Sequence, residues 1–542
     1  MSWSIRELSE CVKNGGVAMQ LDTGSYRTTS TITIKGATIP NRIFGEGILP
    51  SAIYYNPDGS ILIGKEALER SLLDPKGLVV GFKTMVETSN MFNVSGVGKT
   101  PEEIIVDYDE AMVKKTCDKH GIDLKKLVLF LSFPVHWSPE TVERIVELLT
   151  ERGIKTNTMT AFSEPHSAIY AGIKEYPCCI GSNVMVLDIG GGTADILIVC
   201  PGETDNFENP HFMKVRSQRG IPKAGIELSK PIVDLLVEKF SQALNMSPET
   251  VRKNKVYMNA IAEEADLNKI DLMEGTDISA AALIPNSDGR IVEFEMKAED
   301  YFDIIDRTTL SEIGDTVDDA IASAQQDDVS NLEALGLNAF TGIDYLMCVG
   351  GTCKGRHVRD YFANRLGLRE DQVIDCDSQT QVCYGLAELA KLVLDNPEIV
   401  IPLENEGEDS TIPEGLLNNR LSRGFAIRYR DTDTGESRAG IHLWRDDIVP
   451  ARNTIRYVVP KHHADTLEGE VYAIYETKHN IKSLPITGLE VLGKLIMPLP
   501  EGTKSGDPVE ITFTLSTAGT LEVGAVINGK PLDESFTKDG CF

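Results

Sequence analysis

Two short stretches of this chain share one pattern: an apolar run, an acidic glycine turn, and a β-branched run leading back. In the first, Val17-Ala18-Met19-Gln20-Leu21 enters Asp22-Thr23-Gly24-Ser25 and continues into Thr31-Ile32-Thr33-Ile34. In the second, Val184-Met185-Val186-Leu187 enters Asp188-Ile189-Gly190-Gly191-Gly192-Thr193-Ala194-Asp195 and continues into Ile196-Leu197-Ile198-Val199. Each predicts a strand, a turn and a returning strand. One Asp-x-Gly hairpin alone is an ordinary turn. Three consecutive glycines weaken a hairpin that only has to fold, because they cost backbone entropy and bring no side chain to pack. They suit a backbone that something must approach closely, since successive N–H groups form a nest for an anion. An Asp at the strand end can hold the hydrated Mg²⁺ that a nucleotide brings. Two such hairpins facing each other would clamp one polyphosphate between two lobes.

The bulk properties narrow the partners. A chain of 542 residues with 42% apolar content can build several packed cores. Its net charge of −29 argues against non-specific nucleic-acid binding and against docking on anionic membranes, both of which need a positive surface. No run approaches the roughly 18 apolar residues of a membrane span. The N-terminus lacks the basic-then-apolar pattern of a secretion signal. The expectation is a cytoplasmic protein with neither nucleic-acid nor membrane partners. Its ten cysteines include no C-x-x-C pair and sit mostly in or beside apolar runs, as Cys200, Cys348, Cys376 and Cys383 do, so they read as reduced core thiols. The nine histidines show no zinc-binding spacing, and His462-His463 reads as a loop pair.

Residues 17–400 alternate strand-like and helix-like segments, the mark of an α/β architecture. Val128 to Phe133 predicts a buried strand. Pro139 to Arg152 predicts a helix capped by Ser138 with proline at its first position. Ile232 to Phe240 and Val358 to Leu366 predict further helices. An acidic, proline-containing stretch follows, and beyond it period-2 alternation in Gly424–Tyr429, Glu470–Tyr475, Val509–Leu515 and Leu521–Val526 predicts a small β-sandwich. The boundaries expected are 1–398, a linker at 399–418, and 419–542.

Two more segments complete a nucleotide site in principle. Glu164-Pro165-His166-Ser167-Ala168 places a carboxylate at a strand-to-helix corner. Tyr345-Leu346-Met347-Cys348-Val349-Gly350-Gly351-Thr352 is a buried strand ending in a glycine pair on which a base or ribose can lie. With Val80-Gly81-Phe82-Lys83 and Phe133-Pro134-Val135, these segments resemble, in order and over nearly the whole chain, the actin-like ATPase superfamily. Within it they resemble the 70-kilodalton heat-shock (DnaK-type) chaperones. Leu492-Gly493-Lys494 and Val509 to Phe513 are similar to that family's peptide-binding β-domain.

The resemblance implies a duplicated actin-like (ribonuclease-H-like) ATPase in two lobes followed by a small antiparallel sandwich. It implies ATP/ADP and Mg²⁺ as ligands, slow ATP hydrolysis, and unfolded or extended peptides as clients. It also implies a J-domain-type co-chaperone and a nucleotide-exchange factor as partners. Lys83 would neutralise charge at the γ-phosphate. Asp22, Glu164, Asp188 and Asp195 would hold Mg²⁺ mostly through water, and Thr193 would contact the γ-phosphate. Thr23, Gly24, Ser25 and Gly190 to Gly192 would cradle phosphates, while Asp266, Lys269, Gly350, Gly351 and Thr352 would receive the nucleoside. The chain departs from the family at the base: Ile270 takes the place of the adenine-stacking arginine, and Ser378-Gln379-Thr380-Gln381 replaces Pro-Asp-Glu-Ala. The nearest match to the interdomain linker is Gly415 to Arg420, and the helical lid is expected to be missing. A nucleotide-binding scaffold without the chaperone cycle is the alternative reading. A reactivating factor or small-molecule kinase of the same superfamily ranks below it.

Overall fold

The computed structural model describes residues 3–94, 97–201, 213–325 and 340–395, and in the C-terminal part 424–431, 436–444, 451–461, 466–474, 482–487, 489–500, 502–515, 521–532 and 535–538. The expected linker at 399–418, its Gly415–Arg420 segment and His462-His463 lie outside the described residues.

Ten strands form the frame of the larger part. They are β1 (Val17–Thr23), β2 (Arg27–Ile34), β3 (Ala37–Pro40), β4 (Leu127–Phe133) and β5 (Ala161–Ser163), then β6 (Val184–Ile189), β7 (Ala194–Pro201), β8 (Met213–Ile221), β9 (Tyr345–Val349) and β10 (Val373–Ile374). The first sheet runs β5-β4-β1-β2-β3 and the second β8-β7-β6-β9-β10. In both, the strand leading into the glycine turn pairs antiparallel with the strand returning from it and parallel with the next one along the sheet. The central parallel strands read as unbroken apolar runs because both faces are covered. β4 is buried from Leu127 to Ser132, and β6 throughout.

Two helices lie between these sheets. Glu164–Glu175 and Gln381–Asp395 cross at Gly385, where a Cβ would sit 1.5 Å from the Ser167 carbonyl oxygen. The second helix places Val382 and Leu389 in the core under the second sheet, with Val186, Leu197 and Met347. Its far end places Ala390, Val393 and Leu394 against Ala18, Val128 and Phe130 of the first sheet. One helix thus contributes to both cores and ties the sheets together. The expected helices form as Pro139–Glu151, capped by Ser138 on the Thr141 N–H, Gly225–Leu244 and Arg356–Leu366.

The described residues of the C-terminal part contain strands and no helix. One antiparallel sheet contains Gly424–Arg430, Ser437–Leu443, Thr466–Ile474 and Glu490–Pro498; a second contains Ala451–Val458, Pro508–Leu515 and Leu521–Ile527. Phe425, Ile427, Val471 and Leu495 of the first meet Ile511, Phe513, Leu521 and Val523 of the second in one core. Strict alternation of buried residues along Pro508–Leu515 is the physical basis of its sequence signal. The first sheet also buries Ala426, Ala439, Ile441, Tyr472 and Ile474 on its other face. Among the described residues the cysteines form no disulfide, with Cys200, Cys348 and Cys383 buried and Cys376 half-buried. Among the described residues no helix is long and apolar enough to cross a membrane.

Candidate nucleotide site

The register puts Asp22 opposite Thr29 and Asp188 opposite Asp195, so each sheet delivers an aspartate to the base of its glycine turn. The turns face each other closely. A Cβ on Gly191 would lie 2.3 Å from the Tyr26 ring, and one on Gly192 would lie 2.9 Å from Ser25 Oγ and 2.3 Å from Thr84 Cγ2. Glycine is required here because any side chain would push the hairpins apart. The second turn is fixed from outside. The N–H groups of Gly225 and Ile226, at the start of helix Gly225–Leu244, donate to the carbonyls of Gly190 and Gly191 at 3.2 and 2.8 Å. The Thr352 hydroxyl donates to the Gly190 carbonyl at 2.7 Å.

Lys83 reaches the same place from a short 3₁₀ turn, Phe82–Met85. Gly81 precedes it with a left-handed φ of 66°, which swings the chain out of strand Leu78–Val80. Phe82 goes into the core beside Tyr108, and Lys83 points the other way, to form an ion pair with Glu164. Both partners are buried, and the Lys83 ammonium also lies 5.7 Å from the Trp137 ring centre. Burial would lower the Lys83 pKa, but Glu164, Asp22 and Asp195 outweigh it and hold the ammonium above its ordinary value. Burial raises Glu164 to about 7 against the pull of Lys83, with Asp22 and Asp195 adding to the rise. Asp188 is pushed well above the carboxylate range by burial and then by Glu164, Asp195 and Asp22. Four carboxylates share one lysine, so the site has an excess of buried negative charge. One Asp195 oxygen accepts the Val135 N–H at 2.8 Å, and the other meets no hydrogen-bond partner among the described residues. A divalent cation fits this excess. Among the described residues no three His, Cys, Asp or Glu side chains converge closely enough to grip a metal directly.

These groups open onto a cleft of about 720 Å³. Asp22, Gly24, Ser25, Lys83, Glu164, Asp188, Gly190, Gly191, Thr193, Asp266, Lys269, Gly350, Gly351 and Thr352 all line it. At its outer end Lys269 bridges the Gly225 carbonyl, Ser229 Oγ and Asp266 at 3.0, 2.8 and 3.0 Å. Gly350 adopts φ 85°, and a Cβ there would meet the Ile189 carbonyl oxygen at 2.3 Å and Asp188 Oδ1 at 2.5 Å. Ile270 and Met273 present an aliphatic face, and Gln379 closes the wall with Lys354.

Three expected residues are not among those lining the cleft. Thr23 alternates with Asp22 along β1, so its side chain leaves by the opposite face and its hydroxyl donates to Asp109. Gly192 packs behind the turn against Ser25 and Thr84. Asp195 sits below the cleft wall against Val135 and 3.8 Å from His136. Conversely, Tyr26, Gly225, Met273 and Lys354 line the cleft and went unread. Tyr26 was within reach, as the residue directly after the first motif.

No protein-family model matches the chain. Among curated proteins it is similar to the chaperone protein DnaK of Elusimicrobium minutum, 22% identical over 92% of this chain and 72% of that protein. It is 21% identical to DnaK of Endomicrobium trichonymphae over 94% of this chain and 73% of that one. To DnaK of Methanothermobacter thermautotrophicus it is 22% identical, over 95% and 79%. Alignments that cover more than nine tenths of this chain at 21–22% identity support a distant relationship to the DnaK-type, 70-kilodalton heat-shock chaperones.

Proposed function

We propose that the chain is an ATP-hydrolysing chaperone in which a duplicated, actin-like ATPase (1–398) is joined by a linker (399–418) to a peptide-binding sandwich (419–542). The observation that carries this reading is the buried Lys83–Glu164 pair set between two facing glycine hairpins. The shared strand order of the two sheets supports the duplication.

Phosphoryl transfer to water needs positioning and charge stabilisation more than a strong nucleophile. Gly24, Ser25, Gly190 and Gly191 would cradle the phosphates, and Thr193 would contact the terminal one. Lys83, held charged by its carboxylates, would neutralise charge developing there. Glu164, near neutrality in its pKa, would orient the attacking water and take its proton. Mg²⁺ held through water by Asp22, Asp188, Asp195 and Glu164 would supply charge neutralisation of the phosphates. Asp266 and Lys269 would hold the ribose, with the base between Ile270, Met273 and the Gly350-Gly351 backbone. The sandwich would bind an extended apolar peptide, a reading supported by the chain's similarity to the DnaK chaperones. Co-chaperones of the J-domain and nucleotide-exchange kinds would act on this cycle.

Isothermal titration with ATP·Mg²⁺ tests the first step, and absence of binding would sink the proposal. A fluorescent apolar peptide tests the second: it should leave faster with ATP than with ADP. Equal release would favour a nucleotide-binding scaffold, a reading that the aliphatic Ile270, half-exposed in the cleft wall, also supports.

A further inference from the structure

Asp109 is a carboxylic acid that the nucleotide chemistry does not use. It lies in the middle of helix Pro101–His120 and is 2% exposed, in a core otherwise built from Ile105, Met112, Val113 and their neighbours. An acid so placed needs a reason, because burying it costs free energy unless it is bonded. Its Oδ1 accepts the Thr23 hydroxyl at 2.7 Å. The pair borders a cavity of about 20 Å³, roughly room for one water, which Ser132 and Trp137 also line. Ser132 donates to Asp22 Oδ1 at 2.7 Å, and Trp137 carries Lys83 on its face. Consecutive hairpin residues are therefore held by two different elements: Asp22 by β4, and Thr23 by the helix. Burial raises Asp109 to about 7, opposed by the Thr23 hydrogen bond and by Lys83.

We propose that Asp109 is a positioning residue that holds the first phosphate hairpin from behind through the Thr23 hydroxyl. This rests on the nucleotide reading of the cleft. Without the tie, β1 keeps its ladder, but the turn at Gly24 and Ser25 is free to shift against its facing partner.

The test compares wild type with Asp109→Leu, Asp109→Asn and Thr23→Val. The readouts are KM and kcat for ATP·Mg²⁺, and amide hydrogen exchange at Gly24 and Ser25 in nucleotide-free protein. Asp109→Leu should raise KM on the order of tenfold, the worth of one hydrogen bond to a buried acceptor, with kcat changing less. Exchange at the turn should quicken by a similar factor. Asp109→Asn keeps an acceptor and should return both to within about twofold of wild type. Thr23→Val breaks the same bond with little change in volume and serves if Asp109→Leu does not fold. The proposal is overturned if the bond-breaking variants leave KM and turn exchange unchanged, or if Asp109→Asn behaves like Asp109→Leu. Should wild type bind no ATP, the proposed function fails, while the exchange measurement still decides the role of Asp109.

Discussion

Lys83 sits where two effects oppose each other. Burial alone would favour the neutral amine, but three nearby carboxylates keep it charged. Replacing it with alanine therefore removes a charge that balances these carboxylates and, on the proposed function, a phosphate contact. ATP turnover of Lys83→Ala should fall by about 10²–10³ in a steady-state phosphate-release assay. Glu164 would then be left buried beside Asp22 and Asp195, so its pKa should climb further. Asp109 gives a cleaner pH test. Its folded pKa, about 7, lies above its ordinary value of 3.8, so between these values the folded state holds a proton that the unfolded chain has released. The stability it contributes is full below that window and lost as pH rises through about 7. Asp109→Asn should therefore gain on wild type as pH rises, by an amount on the order of 4 kcal/mol at pH 8, read from denaturant midpoints. At this scale the sequence was most legible where chemistry is local. Asp22, Asp188 and the glycine triplet announce themselves because few other structures need them. The partner of the Thr23 hydroxyl was not legible, because motif reading follows the chain, whereas a strand sends alternate side chains to opposite faces. Met273 and Lys354 carry no local signal; only the packing of distant elements brings them to the cleft.

Glycines decide how the elements meet. At Gly385 the helix Gln381–Asp395 passes so close to Glu164–Glu175 that a Cβ would fall 1.5 Å from a backbone oxygen. Gly385→Ala must separate the two helices. The first of them begins with Glu164, so the damage should reach the site as well as the core. The expected outcome is a loss of about 3 kcal/mol in unfolding free energy together with weakened nucleotide binding, measured by denaturation and titration calorimetry. Gly350→Ala is more local: its left-handed φ and its contacts with Ile189 and Asp188 leave no room for a methyl group. It should abolish nucleotide binding while the far-UV spectrum stays near wild type. The elements themselves were largely readable. Periodicity found Pro139–Glu151 and four of the sandwich strands to within a few residues, because each buries one face along a regular repeat, but it did not find Ser437–Leu443, Ala451–Val458 or Glu490–Pro498. The crossing at Gly385 was not readable, because nothing in Tyr384-Gly385-Leu386 says which backbone it will touch.

The larger part and the sandwich each close their own core, and the exposed Lys538–Glu140 ion pair between them, at 3.6 Å, adds little. On the proposed domain division, calorimetry should resolve two unfolding transitions, and two perturbations should assign them. ATP·Mg²⁺ at about 100 times its Kd should stabilise the ATPase transition by about 2.7 kcal/mol and leave the other in place, since a ligand stabilises only the unit that binds it. Acid should act on the sandwich through His442. This ring is fully buried, stacked 4.2 Å from Phe513 with Nε2 3.0 Å from the Tyr457 hydroxyl. Burial lowers its pKa from 6.5 to about 4, so in that window the unfolded chain takes up a proton that the folded sandwich refuses. Stability from this group is full above about 6.5 and drains away as pH falls towards 4. His166, lowered to about 4 by burial, adds a loss of the same sign to the ATPase transition, so acid alone does not separate the two. His442→Phe does. It should make the nucleotide-insensitive transition less sensitive to pH between 7 and 5 while the nucleotide-sensitive one keeps its acid loss. If instead the substitution altered the pH response of the ATP-stabilised transition, the two parts would be unfolding as one, and the ATPase and the sandwich would share a single cooperative structure rather than a linked pair.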